Sequence, residues 1–233
     1  SSNRALNKLA SNKLAVLGLA FVTIMILSSV FAPLVTQYDP QKVDLRMMLK
    51  PPSADHILGT DKIGRDVFAR IIYGGRISIL VGLGSALGAA LIGVSIGAYT
   101  AYKGGWLDST FLRISEVVMS FPQIILVLML VTILGQSLMN LIIIFTLTGW
   151  GSLYRLTRAQ MLSLREEEYV QALRAFGLNT FTICFKHILP NALGPIMVNI
   201  TLSTAMFILQ EAGLSFLGLG VPLNIPTWGN ILN

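Results

Sequence analysis

The sequence predicts an all-α integral membrane protein built as a bundle of several spans. Three observations predict it. Of 233 residues, 54% are hydrophobic and only 12% charged, about half the charged share of an ordinary soluble domain. Mean hydropathy is +0.71. The apolar residues gather into five long runs, in the range of the roughly 17 to 25 residues that cross a bilayer as a helix. The net charge of +6 suits a membrane protein, which collects Lys and Arg at its cytoplasmic ends, and calls for no nucleic acid. Cys184 is the only cysteine, so no disulfide can form within the chain.

The first run, residues 14–35, is uncharged, with Pro33 near its end. Basic residues precede it, as in a signal peptide. The run is too long for a signal-peptide core, and "FAPLVTQ" is a poor cleavage site, so it reads as a true span. The second run, 77–102, carries small residues at intervals of four: Gly84 and Gly88, Gly93 and Gly97, and Gly82, Ala86 and Ala90. Such faces let helix backbones approach closely in lipid. A buried packing helix is the plain reading and a substrate path the sharper one. The third run, 117–134, is interrupted by Pro122. The fourth, 138–154, is short for a span. "LGQS" between them leaves room only for a tight turn, which makes the two antiparallel neighbours. The fifth, 188–211, has Pro190 and Pro195 near its start and Glu211 at its far end.

Basic residues orient the bundle. Arg4, Lys8 and Lys13 precede the first span. Lys103 and Arg113 lie between the second and third. Arg155, Arg158, Arg165, Arg174 and Lys186 lie between the fourth and fifth. With residues 1–13 cytoplasmic, the loops alternate basic and non-basic, as the positive-inside rule requires. Residues 36–76 and 212–233 then fall outside the cell. The first of these is the exception, since it carries Lys42, Arg46, Lys50, Lys62, Arg65, Arg70 and Arg76.

The loop 155–187 includes "EEEYVQALRAFGLNTFTICFKHILPN", the longest markedly amphipathic stretch. Tyr169, Ala172, Leu173 and Phe176 fall on one helical face. Glu168 sits at the N-terminal end and Arg174 near the C-terminal end, each where the helix dipole favours its sign. Gly177 reads as a left-handed C-cap and Asn179 as the N-cap of a second short helix. Phe181, Phe185 and Ile188 form that helix's apolar face. Lys186 and His187 close it before the fifth span. Two amphipathic helices bent at a glycine fit the lipid interface or a groove on a soluble partner. Periodicity does not choose between them.

"QALRAFGLNTFTICFKHILP" resembles the EAA loop of ATP-binding cassette importer permeases. Gln171, Ala172 and Leu173 stand for Glu-Ala-Ala, while Gly177, Leu189 and Pro190 fall at the expected distances, and His187 replaces an isoleucine. "LGTDKIGRDVFARIIYGGRISILVG" and "EAGLSFLGLGVPLNIPTWG" resemble signature stretches of the dipeptide, oligopeptide and nickel branch. The resemblance implies the type I importer fold, with six spans of which five are present here, and so a sixth after residue 233. It implies a bacterial cytoplasmic membrane, a second and unlike permease subunit, two cytoplasmic ATPases that bind the ATP and Mg, and an extracytoplasmic binding protein. The chain itself would be no enzyme and hold no cofactor. Glu168, Tyr169, Gln171, Ala172, Arg174, Gly177, Asn179, Phe181 and Lys186 would couple it to an ATPase. Di- or oligopeptides are the implied cargo, with nickel or a metal-chelator complex as the alternative.

Other readings are weaker on the residues. There is no Gly-x-x-x-x-Gly-Lys-Ser/Thr pattern for a phosphate-binding loop, and no His, Cys and acid cluster at zinc spacing. An intramembrane protease needs a nucleophile and a base facing each other, and neither His56 nor His187 lies in a span. An ATP-independent channel or ion-coupled transporter would place carboxylates mid-membrane, where only Glu211 comes close. His56 reads as a loop residue more readily than as a metal ligand. Arg65, Asp66 and Arg76 read as structural pairs. Gln123, Asn199 and Gln210 are polar within spans and either bond helix to helix or line a pathway. Glu211 is a candidate because it is ionisable at membrane depth, or else reaches the interface.

The topology is testable. Cysteines placed at Asp44 or Ser53 are expected to react with an impermeant thiol reagent in intact cells. Labelling seen only after lysis would reverse the orientation.

Overall fold

The computed structural model of the protein describes residues 11–232. Most of the predicted N-terminal segment, including Arg4 and Lys8, lies outside them. Among the described residues the chain is helical and has no strand. Its contacts divide it into two compact units, 1–79 with 223–233, and 80–222.

In the first unit, α1 (Lys13–Val30) is capped by Asn12, whose side chain accepts from Ala15 N. Its apolar residues are almost all exposed, as expected of a helix that meets lipid on most sides. A further turn, Ala32–Val35, has Pro33 in its first positions, where a missing N–H is harmless. Residues 36–66 form an irregular module held by side chain to backbone bonds. The Asp61 carboxylate accepts from Ile63 N and Arg65 N, both at 3.0 Å, from Arg65 Nε at 2.7 Å and from Arg70 Nη1 at 2.6 Å. Burial pushes its pKa up, but these donors outweigh burial and hold it below the usual carboxylate range. Its contribution to stability is therefore present above the ordinary carboxylate pKa and lost as pH falls through the lowered one. His56 Nδ1 lies 2.8 Å from Asp66 Oδ2. Arg76 donates to the carbonyls of Ser29 and Val30 at the end of α1. Arg65, Asp66 and Arg76 thus make internal pairs. Near the end of the chain, Trp228 opens α8 (Trp228–Leu232), and its indole donates to Ile71 O at 3.1 Å.

The long helix α2 (Val67–Lys103) runs from the first unit into the second. There follow α3 (Gly105–Ser120), α4 (Gln123–Leu134), α5 (Leu138–Leu164), α6 (Glu168–Ala175) and α7 (Leu189–Phe216). The helix α5 is central, packed against α3, α4 and α7 and against α2. The α2 glycines of the second run meet it in order: Gly84 faces Ile142, Gly88 Thr146, Gly93 Trp150, and Gly97 Tyr154. Both numberings rise together, so α2 and α5 run parallel. Gly82 faces Thr204 and Ile208 of α7 instead. The second run is a packing helix. Ser137 caps α5 by accepting from Asn140 N, and Gly135, at φ +82°, ends α4, so the predicted tight turn is built from a left-handed glycine and a cap.

The observed helices correct several predicted bounds. The third run is not one straight helix, because α3 and α4 meet at 86°. Phe121 is extended, as a residue before proline prefers, and Pro122 cannot continue the ladder. The second helix starts at Val67 and not 77. The fourth continues to Leu164, so residues 155–164 belong to it and not to the loop. The fifth continues to Phe216. An apolar run reports the part of a helix that lies in lipid, whereas backbone hydrogen bonding carries the helix past it. Among the described residues, three stretches are long and apolar enough to cross a membrane: α1, α2, and Thr180–Phe216, which ends in α7. The α3–α4 pair makes a fourth if it counts as one span. The enclosed α5 is not among them, since a helix surrounded by protein can carry more polar residues.

A Cβ on Gly93 would lie 2.5 Å from Trp150 O and 2.8 Å from Tyr154 N, whereas one on Gly84 would meet only Ile142 side-chain atoms at 3.6 Å or more. Gly93→Ala is therefore expected to destabilise the protein by about 1–3 kcal/mol, the usual range for overpacking, and Gly84→Ala to be nearly neutral. Thermal denaturation of both variants in detergent checks this. Equal midpoints would refute the seam.

Candidate functional site: a neutral cleft and a two-helix joint

A cleft of about 420 Å³ opens among α3, α4, α5 and α7, and Phe121, Gln123, Thr148, Ser152, Asn199 and Gln210 are among its lining residues. The break at Phe121 and Pro122 makes the space, because it turns α4 away from the line of α3. Gly149 lets Phe207 approach, since a Cβ there would lie 2.5 Å from the ring. Phe207 in turn stacks on Phe145 at 5.3 Å. The polar groups form a chain. Gln210 Nε2 donates to Gln123 Oε1 at 3.2 Å, Gln123 Nε2 to Thr148 Oγ1 at 3.5 Å, and Thr148 Oγ1 to Ile144 O at 2.9 Å. Ser203 Oγ donates to Asn199 Oδ1 at 3.4 Å. Gln210 Oε1 is buried without a partner. No lining residue is charged.

Gln123, Asn199 and Gln210 thus share one cleft. Glu211, the fourth candidate, is not among the lining residues. One residue on from Gln210, it turns about 100° around the helix, is fully buried and accepts from Ser215 Oγ at 2.7 Å. Sequence reasoning missed Thr148, Ser152 and Ser203. The signal was available: Asn199, Ser203 and Gln210 are four and then seven residues apart, a polar stripe at helical spacing within an apolar run.

The second feature is the joint after α5. Helix α6 ends in a paired cap, with Gly177 N donating to Arg174 O and Leu178 N to Leu173 O. Gly177 has φ +75°, the left-handed conformation that this cap needs. Asn179 Oδ1 accepts from Thr182 N at 2.7 Å. The second helix does not stop before the fifth span as predicted. Thr180–Thr182 passes through a π turn, Ile183–Ile188, into α7 without a break. The wide turn lies just before Pro190, whose missing N–H removes the bond an α-helix would make to Lys186 O.

The predicted apolar face of α6 is divided. Val170 and Ile183, Cys184 and Ile188 are buried against Ala98, Ala101 and Met161, with Leu173 packed beside them. Tyr169, Ala172 and Phe176 point outward with Phe181; Phe176 is 82% exposed and Phe181 64%. Glu168, Gln171, Gly177, Asn179 and Lys186 are also exposed. Arg174 turns back. Its Nε donates to Tyr102 Oη at 3.1 Å and its guanidinium lies over that ring. Arg165 Nη1 donates to Ala101 O at 2.9 Å. Arg174 therefore fastens the joint to α2 while remaining exposed.

A partly buried ion pair supports the base of α5. Arg158 donates to both Asp108 oxygens, at 2.7 and 2.6 Å, and Tyr154 Oη donates to Asp108 O at 3.4 Å. Nothing in the sequence singles out Asp108, which looks there like an ordinary loop charge.

Membrane-crossing helices, a neutral polar cleft between them and a clamped joint with an exposed apolar face are the features of a multi-pass membrane permease. Residues 78–233 match the family model described as binding-protein-dependent transport system inner membrane component, and residues 2–52 match that of the N-terminal transmembrane domain of oligopeptide transport permease C. The chain is 41% identical over 227 residues to the oligopeptide transport system permease protein OppC of Bacillus subtilis, covering 97% of this chain and 74% of that one. It is 42% identical over 229 residues to the dipeptide transport system permease protein DppC of Alkalihalophilus pseudofirmus, covering 98% and 75%. A putative peptide permease protein of Brucella suis is 41% identical over 230 residues, covering 99% and 76%. The chain belongs to the family of binding-protein-dependent transport system inner membrane components.

Removing one partner of the Asp108–Arg158 pair leaves a largely buried charge unmatched. Asp108→Asn and Arg158→Gln are each expected to cost roughly 2–4 kcal/mol, somewhat below the fully buried range because Arg158 keeps some solvent. The double variant should cost less than the sum. Additive losses in denaturation midpoints would show that the two side chains do not act as a pair.

Proposed function

We propose that this chain is a permease subunit of an ATP-driven importer of di- or oligopeptides. It forms half of the translocation pathway and receives the power stroke at the joint spanning Glu166 to Asn191. The cleft lined by Gln123, Asn199 and Gln210 is its share of the pathway. The names of the relatives support the cargo, and the neutral amide and hydroxyl lining suits peptide backbones, whatever side chains they carry. The partners in this reading are a second permease subunit, two cytoplasmic ATPases that supply the ATP and Mg sites, and an extracytoplasmic binding protein. The chain itself carries out no hydrolysis. The membrane is the bacterial cytoplasmic membrane, with the N-terminus inside.

One observation carries the coupling role. The face formed by Tyr169, Ala172, Phe176 and Phe181 is apolar and exposed, while Arg165 and Arg174 bind the same loop to α2. An apolar face on a clamped element suits a groove on a soluble partner, because force applied to it reaches the spans. A Cβ added at Gly177 would have nothing within 4 Å, so its replacement acts through the backbone and the partner contact alone. A side chain at its positive φ costs about 1–2 kcal/mol. Gly177→Asp and Phe181→Asp are expected to leave membrane insertion intact. Both should abolish most of the ATP hydrolysis that loaded binding protein stimulates in liposomes, along with peptide uptake. Normal stimulation with normal uptake would refute the coupling role.

A further inference from the structure

We infer that the pocket beside the joint is an anion site for the phosphate of an anionic phospholipid headgroup. The pocket, of about 330 Å³, is lined by Tyr102, Lys103, Arg165, Glu166, Arg174 and Thr180. Three cations converge on it and only one acid. Glu166 pairs with Arg165 at 2.9 Å, which leaves an excess of two positive charges in one recess. Like charges held together in this way call for a counter-anion.

Enough donors remain to hold one. Arg174 uses Nε on Tyr102 Oη and Nη2 on Arg165 O, so Nη1 remains. Lys103 lies over the Tyr99 ring at 5.7 Å and makes no ion pair among the described residues. The Tyr102 hydroxyl accepts from Arg174, so its own hydrogen is free to donate, and Thr180 adds a second hydroxyl. The start of α3 is close as well. Its cap, Gly104, has no side-chain cap bond, and a Cβ there would be 3.8 Å from Arg165 Nη1. Uncapped N–H groups at a helix start favour a phosphate further.

The depth of the site argues for a lipid source. The pocket lies at the end of α2 and Tyr102 lines it; its Lys103 lies over the Tyr99 ring, and Trp106, three residues further on, is exposed. Aromatic residues mixed with basic ones mark the headgroup level of a membrane. Basic pockets between spans there are suited to anionic headgroups. The phosphate would join Lys103 of α2 to Arg174 of the joint. The lipid would then be a third fastening of the joint, beside Arg165 and Arg174.

The test is native mass spectrometry of the assembled transporter released from nanodiscs of phosphatidylglycerol and phosphatidylethanolamine. Wild type should retain phosphatidylglycerol. Lys103→Gln should weaken that retention at least threefold, and Lys103→Gln with Arg174→Gln at least tenfold. Arg113→Gln, on an exposed residue of α3, should change nothing. The single Lys103 variant keeps the test open should the double variant misassemble, since Lys103 bonds no backbone. Unchanged retention in both variants, or equal retention of phosphatidylethanolamine, would overturn the proposal. Displacement of the lipid by millimolar inorganic phosphate at equal occupancy would assign the pocket to free phosphate and overturn the lipid source. Loss of the ATPase subunits from Lys103→Gln with lipid retention intact would instead make the pocket a seat for an acidic ATPase side chain.

Discussion

The distance between α2 and α5 governs the second unit. Gly88, Gly93 and Gly97 bring the α2 backbone against Thr146, Trp150 and Tyr154 so closely that a single added carbon meets backbone or β-branched atoms at 2.5–2.8 Å. In lipid there is no hydrophobic gain from joining two helices, so contact area between backbones and small side chains has to supply the attraction. That seam fixes α5, and α5 presents its other faces to α3, α4 and α7. Ala192 and Ile196 of α7 join Trp150, Leu153 and Tyr154 in one core. The Asp108–Arg158 pair fastens α3 to the end of α5 that emerges beyond this core. The cleft exists because the helices that enclose it are placed by this one rod.

The joint inherits the same order. Its inner side, Val170 with Ile183, Cys184 and Ile188, packs on Ala98, Ala101 and Met161, which belong to the far ends of α2 and α5. Arg165 and Arg174 add bonds to the last turns of α2. A loop attached at so many points cannot swing independently of the bundle. Its outer apolar residues are therefore a surface that is rigid and unpaired at once. In the proposed reading, that surface is the mechanical contact with an ATPase.

The sequence makes the fold class plain and the limits of the helices obscure. Glycines at four-residue spacing announce the packing helix, and Gly177 and Asn179 announce their caps, because each of those roles depends on a local property of one residue type. Pro122 marks the break in the sequence, but its angle of 86° goes with α3 and α4 both packing on α5, a long-range fact. The division of the α6 face is likewise hidden. Tyr169, Ala172, Leu173 and Phe176 share a face by period, but which of them meets the bundle depends on where α2 ends. The bond of Arg174 to Tyr102 is hidden too, because it spans 72 residues. The burial of Glu211 is hidden as well, because Ser215 one turn later gives little sign in the sequence of holding it.

The continuity of the last long helix connects the two features. Phe181 lies near the start of a stretch that is helical from Thr180 to Phe216, and Asn199, Ser203 and Gln210 lie farther along it, in the cleft. A helix transmits displacement and rotation along its axis, so a partner that moves Phe181 also moves Gln210. The π turn at Ile183–Ile188 interrupts the α-helical register of this lever. It holds a wider hydrogen-bond register than the α-helix on either side, and Pro190 and Pro195 weaken the ladder beyond it. Movement at the joint can thus reach the cleft as a change in helix register and not only as a rigid tilt. The Gln210–Gln123–Thr148 chain crosses from α7 through α4 to α5, so it is the set of bonds such a change would strain first.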